Sequence, residues 1–304
     1  MSKERPSNIA ASVRQRLLNL AKQRGEEFQF VLSRYAAERL LARLAASQYA
    51  GRFILKGAML FELWTGQAHR STLDVDLLSE SSEPADRLAG IFREIAAIEM
   101  KADGIAIDAA SVRAEPIRED QRYGGVRVTA TATLASARIP LQVDIGFGDA
   151  VTPAPTDADY PTLLGFPRLG LRVYPKETVV AEKFEAMVSL GIDNSRMKDF
   201  YDLYVLCEQF EFDGELLAQA IEATFAGRKT PLPQSTPLAL TDGFARDSAK
   251  VTQWNAFVKR GRLRIDVSSL GEVVSRLAAF LWPVAGAAEA RRPFRDRWSN
   301  GQWK

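Results

Sequence analysis

The sequence offers almost no sulfur or imidazole chemistry. Its 304 residues include one cysteine and one histidine. A single thiol cannot close an internal disulfide, and a cysteine-rich metal cluster is excluded. Cys207, in YDLYVLCEQF, falls at core-like spacing and reads as a buried structural thiol. A Ser-His-Asp relay or a multi-histidine zinc centre would have to be built around His69 alone. No apolar run approaches the length of a membrane span, and MSKERPSNIAASVRQRLL passes straight into a charged amphipathic pattern, unlike a signal peptide. The expected location is the cytoplasm, with no membrane partner. An excess of one charge is lacking too. With 40 basic against 38 acidic side chains the net is +2, so any nucleic-acid surface has to be a local patch. Internal repeats and coiled-coil heptads are absent.

What the chain does have is carboxylate, lysine and arginine, the materials of magnesium and phosphate sites. Residues 9 to 48 carry apolar side chains at three- and four-residue spacing and predict helices. Arg34, Arg39 and Arg43 fall near one polar side of the second, which reads as a solvated face or as an RNA-facing patch. RFILKG predicts a strand ended by Gly57, AMLFELWTG a short helix closed by Gly66, and STLDVDLLS a second strand. A helix over 85–100 precedes three strand-like segments, ASVRAEPI, GGVRVTATATLA and ARIPLQVDIGFG. The Pro-rich stretch 151–167 reads as a surface loop, and from Pro175 onward the pattern is helical. The expected fold class is α+β, with an N-terminal α/β core over residues 1–170, a helical lobe over 171–285 and a basic, loosely ordered tail over 286–304.

The pattern LDVDLL carries the chemistry. Residues two apart in a strand share a face, so Asp74 and Asp76 point one way while Leu73, Val75 and Leu77 point into the core. Two like charges side by side suit either a screened, exposed face or a divalent cation that inverts their repulsion. Asp144 interrupts another apolar strand pattern, where it is either a strand-end residue or a third carboxylate for in-line displacement at phosphorus. Carboxylates without histidine or cysteine fit magnesium better than zinc or iron. Lys56 and Gly57 stand where a strand turns into a helix, a place where backbone N–H groups can approach phosphate. Arg70 and Thr72 precede the aspartates, with Thr72 expected on their strand face. Lys176 and Lys183 are seven apart in PKETVVAEKFEAMV and so near one face; Lys183 could neutralise a triphosphate, or both could be solvated. Arg196, Asp199 and Asp202 fall three apart in RMKDFYDL, as an intrahelical ion pair or as a stripe that positions those groups.

Taken in order, KGAMLFELW, R-x-T-x-D-x-D at Arg70 to Asp76, Asp144, AEKFEAM and RMKDFYDL resemble the AbiEii/AbiGii-type nucleotidyltransferase toxins. That family includes the MenT-like toxins and lies within the DNA polymerase β-like nucleotidyltransferase superfamily. The resemblance runs from about residue 30 to about residue 225. It implies a polymerase β-like core, Asp74 and Asp76 as magnesium ligands, and Asp144 as a third carboxylate. It also implies two Mg²⁺ ions as cofactor and a nucleoside triphosphate as substrate. Lys183 matches the triphosphate-contacting lysine and Thr72 the hydroxyl residue before the first aspartate, while Asp199 or Asp202 matches the acid of the last motif. Lys56, Gly57, Arg70, Thr72, Lys176, Lys183 and Arg196 make up the expected nucleotide-binding set. The superfamily's Gly-Ser signature is Gly57-Ala58 here, which bears on nucleotide affinity and choice rather than on the metal. For MenT-like members the acceptor is the 3′ end of tRNA, which implies a toxin that blocks translation and a cognate AbiEi-like antitoxin as partner. Arg34, Arg39, Arg43 and the tail from Arg291 are candidates for the acceptor surface. The alternatives are nucleotidylation of a protein hydroxyl and an inactive nucleotide-binding protein.

Overall fold

Alternation of buried and half-exposed residues along three segments builds the sheet that carries the aspartates. The structure, a computed structural model, describes residues 8–70, 72–117, 124–261, 263–265, 267 and 269–304. Ser71, in the second expected strand, and Ser268, at the start of the last expected helix, lie outside the described residues. Two units are distinguished: the first holds residues 1–67, 72–148 and 157–173, the second 68–71, 149–156 and 174–304. Residues 68–71 and 149–156 thus belong to the second unit although sequence neighbours on both sides of 68–71 belong to the first.

The first unit runs α1 (Ile9–Arg24), α2 (Phe28–Ala45), β1 (Phe53–Lys56), α3 (Leu60–Thr65), β2 (Asp74–Ser79), α4 (Ala85–Ala96), β3 (Ile105–Ile117), β4 (Gly125–Leu134), β5 (Ala137–Phe147), β6 (Thr156–Tyr160) and β7 (Leu169–Val173). Seven strands form one sheet in the order β3-β4-β5-β2-β1-β7-β6. It is mixed: β2 with β5 and β1 with β7 are parallel, while β1 with β2, β3 with β4 and β4 with β5 are antiparallel. Val75, Leu77, Val128, Leu141, Val143 and Ile145 are buried. On that face Leu40 of α2 and Phe92 and Ala96 of α4 line one small void together with Val128, Leu141 and Val143. By the strand period of two, the intervening Asp74, Asp76, Asp144, Gln142 and Arg127 lie on the opposite face.

The second unit contains α5 (Lys176–Leu190), α6 (Met197–Gln209), β8 (Phe212–Asp213), α7 (Gly214–Gly227), α8 (Asp242–Arg246), α9 (Ser248–Gly261), α10 (Leu270–Glu289), β9 (Arg297–Ser299) and β10 (Gln302–Trp303). The α+β class is the one expected. Cys207 is buried, with burial pushing its thiol well above the ordinary value, as suits an inert core residue. By length and composition α10 could cross a membrane, but Val273, Leu277, Phe280, Leu281 and Val284 are buried within the second unit. Glu272, Arg276 and Pro283 interrupt it, which is why its sequence does not read as one apolar run.

Four expectations need correction. Arg34, Arg39 and Arg43 are buried rather than solvated or RNA-facing, because each meets an acid: Glu26 and Glu62 for Arg34, Glu38 for Arg39 and Asp103 for Arg43. β2 begins at Asp74, so Thr72 is not on the strand and Leu73, 58% exposed, does not enter the core. The Pro-rich loop contains β6, an edge strand, and β7 follows it. The tail expected to be loosely ordered ends in a three-stranded sheet, β10-β9-β8. There the Trp298 indole N–H donates to the Cys207 carbonyl at 2.6 Å and that of Trp303 to Phe280 at 2.9 Å.

Candidate active site

Register brings the sequence-distant carboxylates together in the first unit. Asp76 of β2 pairs with Asp144 of β5, and Asp74 with Gln142, in parallel register. Across the antiparallel partners Asp76 faces Lys56 of β1, Asp144 faces Arg127 of β4, and Arg127 faces Glu115 of β3. One row across five strands thus reads Lys56, Asp76, Asp144, Arg127, Glu115, with Asp74 two residues from Asp76 on the same face. Asp74, Asp76 and Asp144 are all half-buried. Arg127 closes a two-pronged contact on Asp144, Nε to Oδ1 and Nη2 to Oδ2, each at 2.8 Å. Hydrogen bonding to Asp144 holds the guanidinium charged against the opposing effect of burial, and Asp144 and Asp74 add their charge to that.

Gly57 is fixed by the same carboxylates. Its φ is +74°, and a Cβ placed there would stand 2.7 Å from Cγ and 2.8 Å from Cβ of Asp76. Only glycine leaves room for Asp76 where β1 turns into the helical segment that follows.

The second unit holds a separate charged cluster. Asp202 of α6 is 0% exposed. Arg70 grips it through Nε to Oδ1 at 2.6 Å and Nη2 to Oδ2 at 2.9 Å, His69 Nε2 lies 2.6 Å from Oδ1, and Lys183 Nζ lies 2.9 Å from Oδ2. Lys183, from α5, also reaches Asp199 Oδ1 at 2.5 Å. Burial alone would raise Asp202, but Arg70 and Lys183 outweigh it and hold the carboxyl well below the usual range. For Lys183 burial works downward, and Asp199 and Asp202 overcome it to hold the ammonium above its ordinary value. His69 goes the other way: burial lowers it more than Asp202 raises it, so the ring is neutral at pH 7. It stacks on Tyr201 with centroids 5.7 Å apart, and the Tyr201 hydroxyl receives the Arg264 and Ile265 N–H groups.

Lys176, Arg196 and Thr72 have these local settings. Lys176 pairs with Glu177 at 2.8 Å, its Nζ 5.1 Å from the Phe212 ring centre. Arg196 is exposed at the N-cap of α6, where its N–H donates to the Asn194 side chain. α6 begins only at Met197, so Arg196 stands at the cap rather than within the helix that carries Asp199 and Asp202. Thr72 is a half-buried loop residue. Sequence reasoning singled out neither Arg127 nor His69 for a site. Arg127 had one signal, its position in the alternating VRVTATATL; His69 had none beyond being the lone histidine.

As a metal site the first cluster is chemically suitable but not closed. Among the described residues no three His, Cys, Asp or Glu side chains stand together as a ready ligand set. Asp74 and Asp76 supply hard oxygen donors on one face, which suits a divalent cation such as Mg²⁺. Both oxygens of Asp144 are engaged by Arg127.

The family model described as "Nucleotidyl transferase AbiEii toxin, Type IV TA system" matches residues 39–275. No curated protein matches the sequence significantly. Among solved structures, JHP933 from Helicobacter pylori aligns with a TM-score of 0.47 at 15% identity, covering 84% of this chain and 90% of that one. A candidate nucleotidyltransferase from H. pylori aligns with a TM-score of 0.45 at 16% identity, covering 84% and 93%.

Proposed function

We propose, because this chain belongs to the AbiEii family of nucleotidyl transferase toxins of type IV toxin–antitoxin systems, that it moves a nucleotide from a nucleoside triphosphate to the 3′ end of tRNA. Nucleotidyl transfer and a cognate antitoxin follow from the family; the tRNA acceptor, the magnesium and the block of translation are the proposal. The reaction forms a bond from the acceptor hydroxyl oxygen to the α-phosphorus, breaks the bond to the β-phosphate oxygen and releases pyrophosphate.

One observation carries this reading. Asp76 and Asp144 stand in register on neighbouring strands beside Asp74, against a glycine of positive φ whose Cβ would meet the Asp76 side chain. Asp74 and Asp76, with Asp144 as third carboxylate, would hold Mg²⁺, which when bound lowers the acceptor's pKa and neutralises the leaving group. Lys183, kept charged by Asp199 and Asp202, offers a cation to the triphosphate. Asp202 also fixes Arg70, and this fourfold engagement makes it the anchor of the cluster, with Asp199 the more accessible acid. The exposed Arg291, Arg292, Arg295 and Arg297 supply a positive surface for an RNA backbone. The buried arginines of α2 cannot.

The test is transfer from α-phosphate-labelled nucleoside triphosphates, each offered in turn with Mg²⁺ and bulk tRNA. Label on tRNA is the expected result. Label on a protein instead would reassign the acceptor, and no label from any nucleotide with folded protein would contradict the proposal.

A further inference from the structure

Arg127 is paired with the carboxylate assigned above as the third ligand. It stands in the charged row between Asp144 and Glu115, its side chain is 36% exposed, and the charge of Asp74 also acts on it. A guanidinium fork matched to a carboxylate uses both oxygens at once. Here both Asp144 oxygens are so used, at 2.8 Å each, and Gln142 Nε2 lies a further 3.4 Å from Oδ2. In that state one lone-pair site on each oxygen is committed to the fork, and the fork fixes the direction in which the others point. Glu115, exposed in the adjacent strand, gives the guanidinium a second carboxylate in the same row.

We infer that Arg127 and a divalent cation compete for Asp144. Arg127 is then a positioning residue. Its fork holds Asp144 beside Asp76, and that fork would have to open for Asp144 to serve as third ligand. The inference rests on Asp74 and Asp76 being the metal ligands proposed above. It adds that the third ligand is held in reserve and that the occupancy of the site by metal is set from β4.

Binding of Mn²⁺ alone, followed by the electron paramagnetic resonance of the free ion in the absence of nucleotide, tests the competition without reference to turnover. Arg127→Met should bind Mn²⁺ about tenfold more tightly, the scale on which partners of metal ligands act. Arg127→Lys, which keeps the charge but loses the fork, should also bind more tightly than the parent. In an Asp144→Asn background Arg127→Met should change nothing. A partner that only orients a ligand would give the opposite sign, weaker binding in Arg127→Met, and that result overturns the inference. So does Arg127→Lys behaving as the parent, which would reduce the effect to net charge, or a gain that persists without Asp144. Asp76→Asn separates the two readings. If it leaves Mn²⁺ binding untouched, the metal site itself is wrong; if it abolishes binding while the Arg127 variants match the parent, only the competition is wrong. Thermal melting of each variant checks that it is folded.

Discussion

At the scale of single residues, the site depends on side chains that have been given no freedom. Gly57 has a positive φ and an Asp76 carboxyl where its Cβ would be. Gly57→Ala should therefore displace Asp76 and lower transfer by about a hundredfold, the effect of a roughly 1 Å misplacement in a reacting group. Transfer rates of the alanine variant near those of the parent would show that the close approach does not matter. Asp202 and His69 make a pH prediction. Asp202 is held well below 3.8, so the stability it contributes is present above that value and lost as pH falls below it. His69 is held below 6.5 by burial, so the folded state resists protonation and loses stability as pH drops under 6.5. Denaturant unfolding between about pH 5 and 7 should show stability rising with pH. His69→Gln should flatten that rise; an unchanged slope would mean that the ring is not held neutral.

At the scale of elements, β1 to β5 were readable, while β6 to β10 and the partners of the charged residues were not. The alternation in VRVTATATL and PLQVDIGF marks one face as buried, and the same alternation puts Asp74 and Asp76 on the other. Register between β2 and β5 left no local trace, because it joins residues some seventy apart and is decided by packing against α2 and α4. Helical periodicity likewise located α2 but misjudged Arg43, since its acid, Asp103, comes from a distant segment. That pair is 2% exposed on each side. Arg43→Met should accordingly cost about 3–5 kcal/mol, the penalty for stranding one buried charge, measured by denaturant unfolding; a loss under 1 kcal/mol would mean that water reaches Asp103. The end of the chain was misjudged for a related reason. Its arginines suggested a solvated tail, whereas Trp298 is buried against Phe280 at 4.8 Å and hydrogen-bonded to Cys207. Trp298→Ala should cost about 3–5 kcal/mol as a large-to-small core change, where a loose tail would lose nothing.

At the scale of the whole chain, the scarcity of cysteine and histidine set the chemistry before any fold was known, leaving carboxylates and cations to do the work. Family membership over residues 39–275 agrees with that restriction. Asp74, Asp76 and Asp144 make the charged row of the first unit, on the sheet, and Lys183 with Asp199 and Asp202 the charged cluster of the second, on α5 and α6. The most direct measurement compares labelled nucleotide transfer by the parent protein and by Asp76→Asn, with melting curves for both. Transfer falling by at least about a thousandfold, with an unchanged melting temperature, is the expected result for a residue that holds the reacting charge. An Asp76→Asn protein that transfers nucleotide at the parent rate would contradict the assignment of the carboxylate row as the catalytic centre.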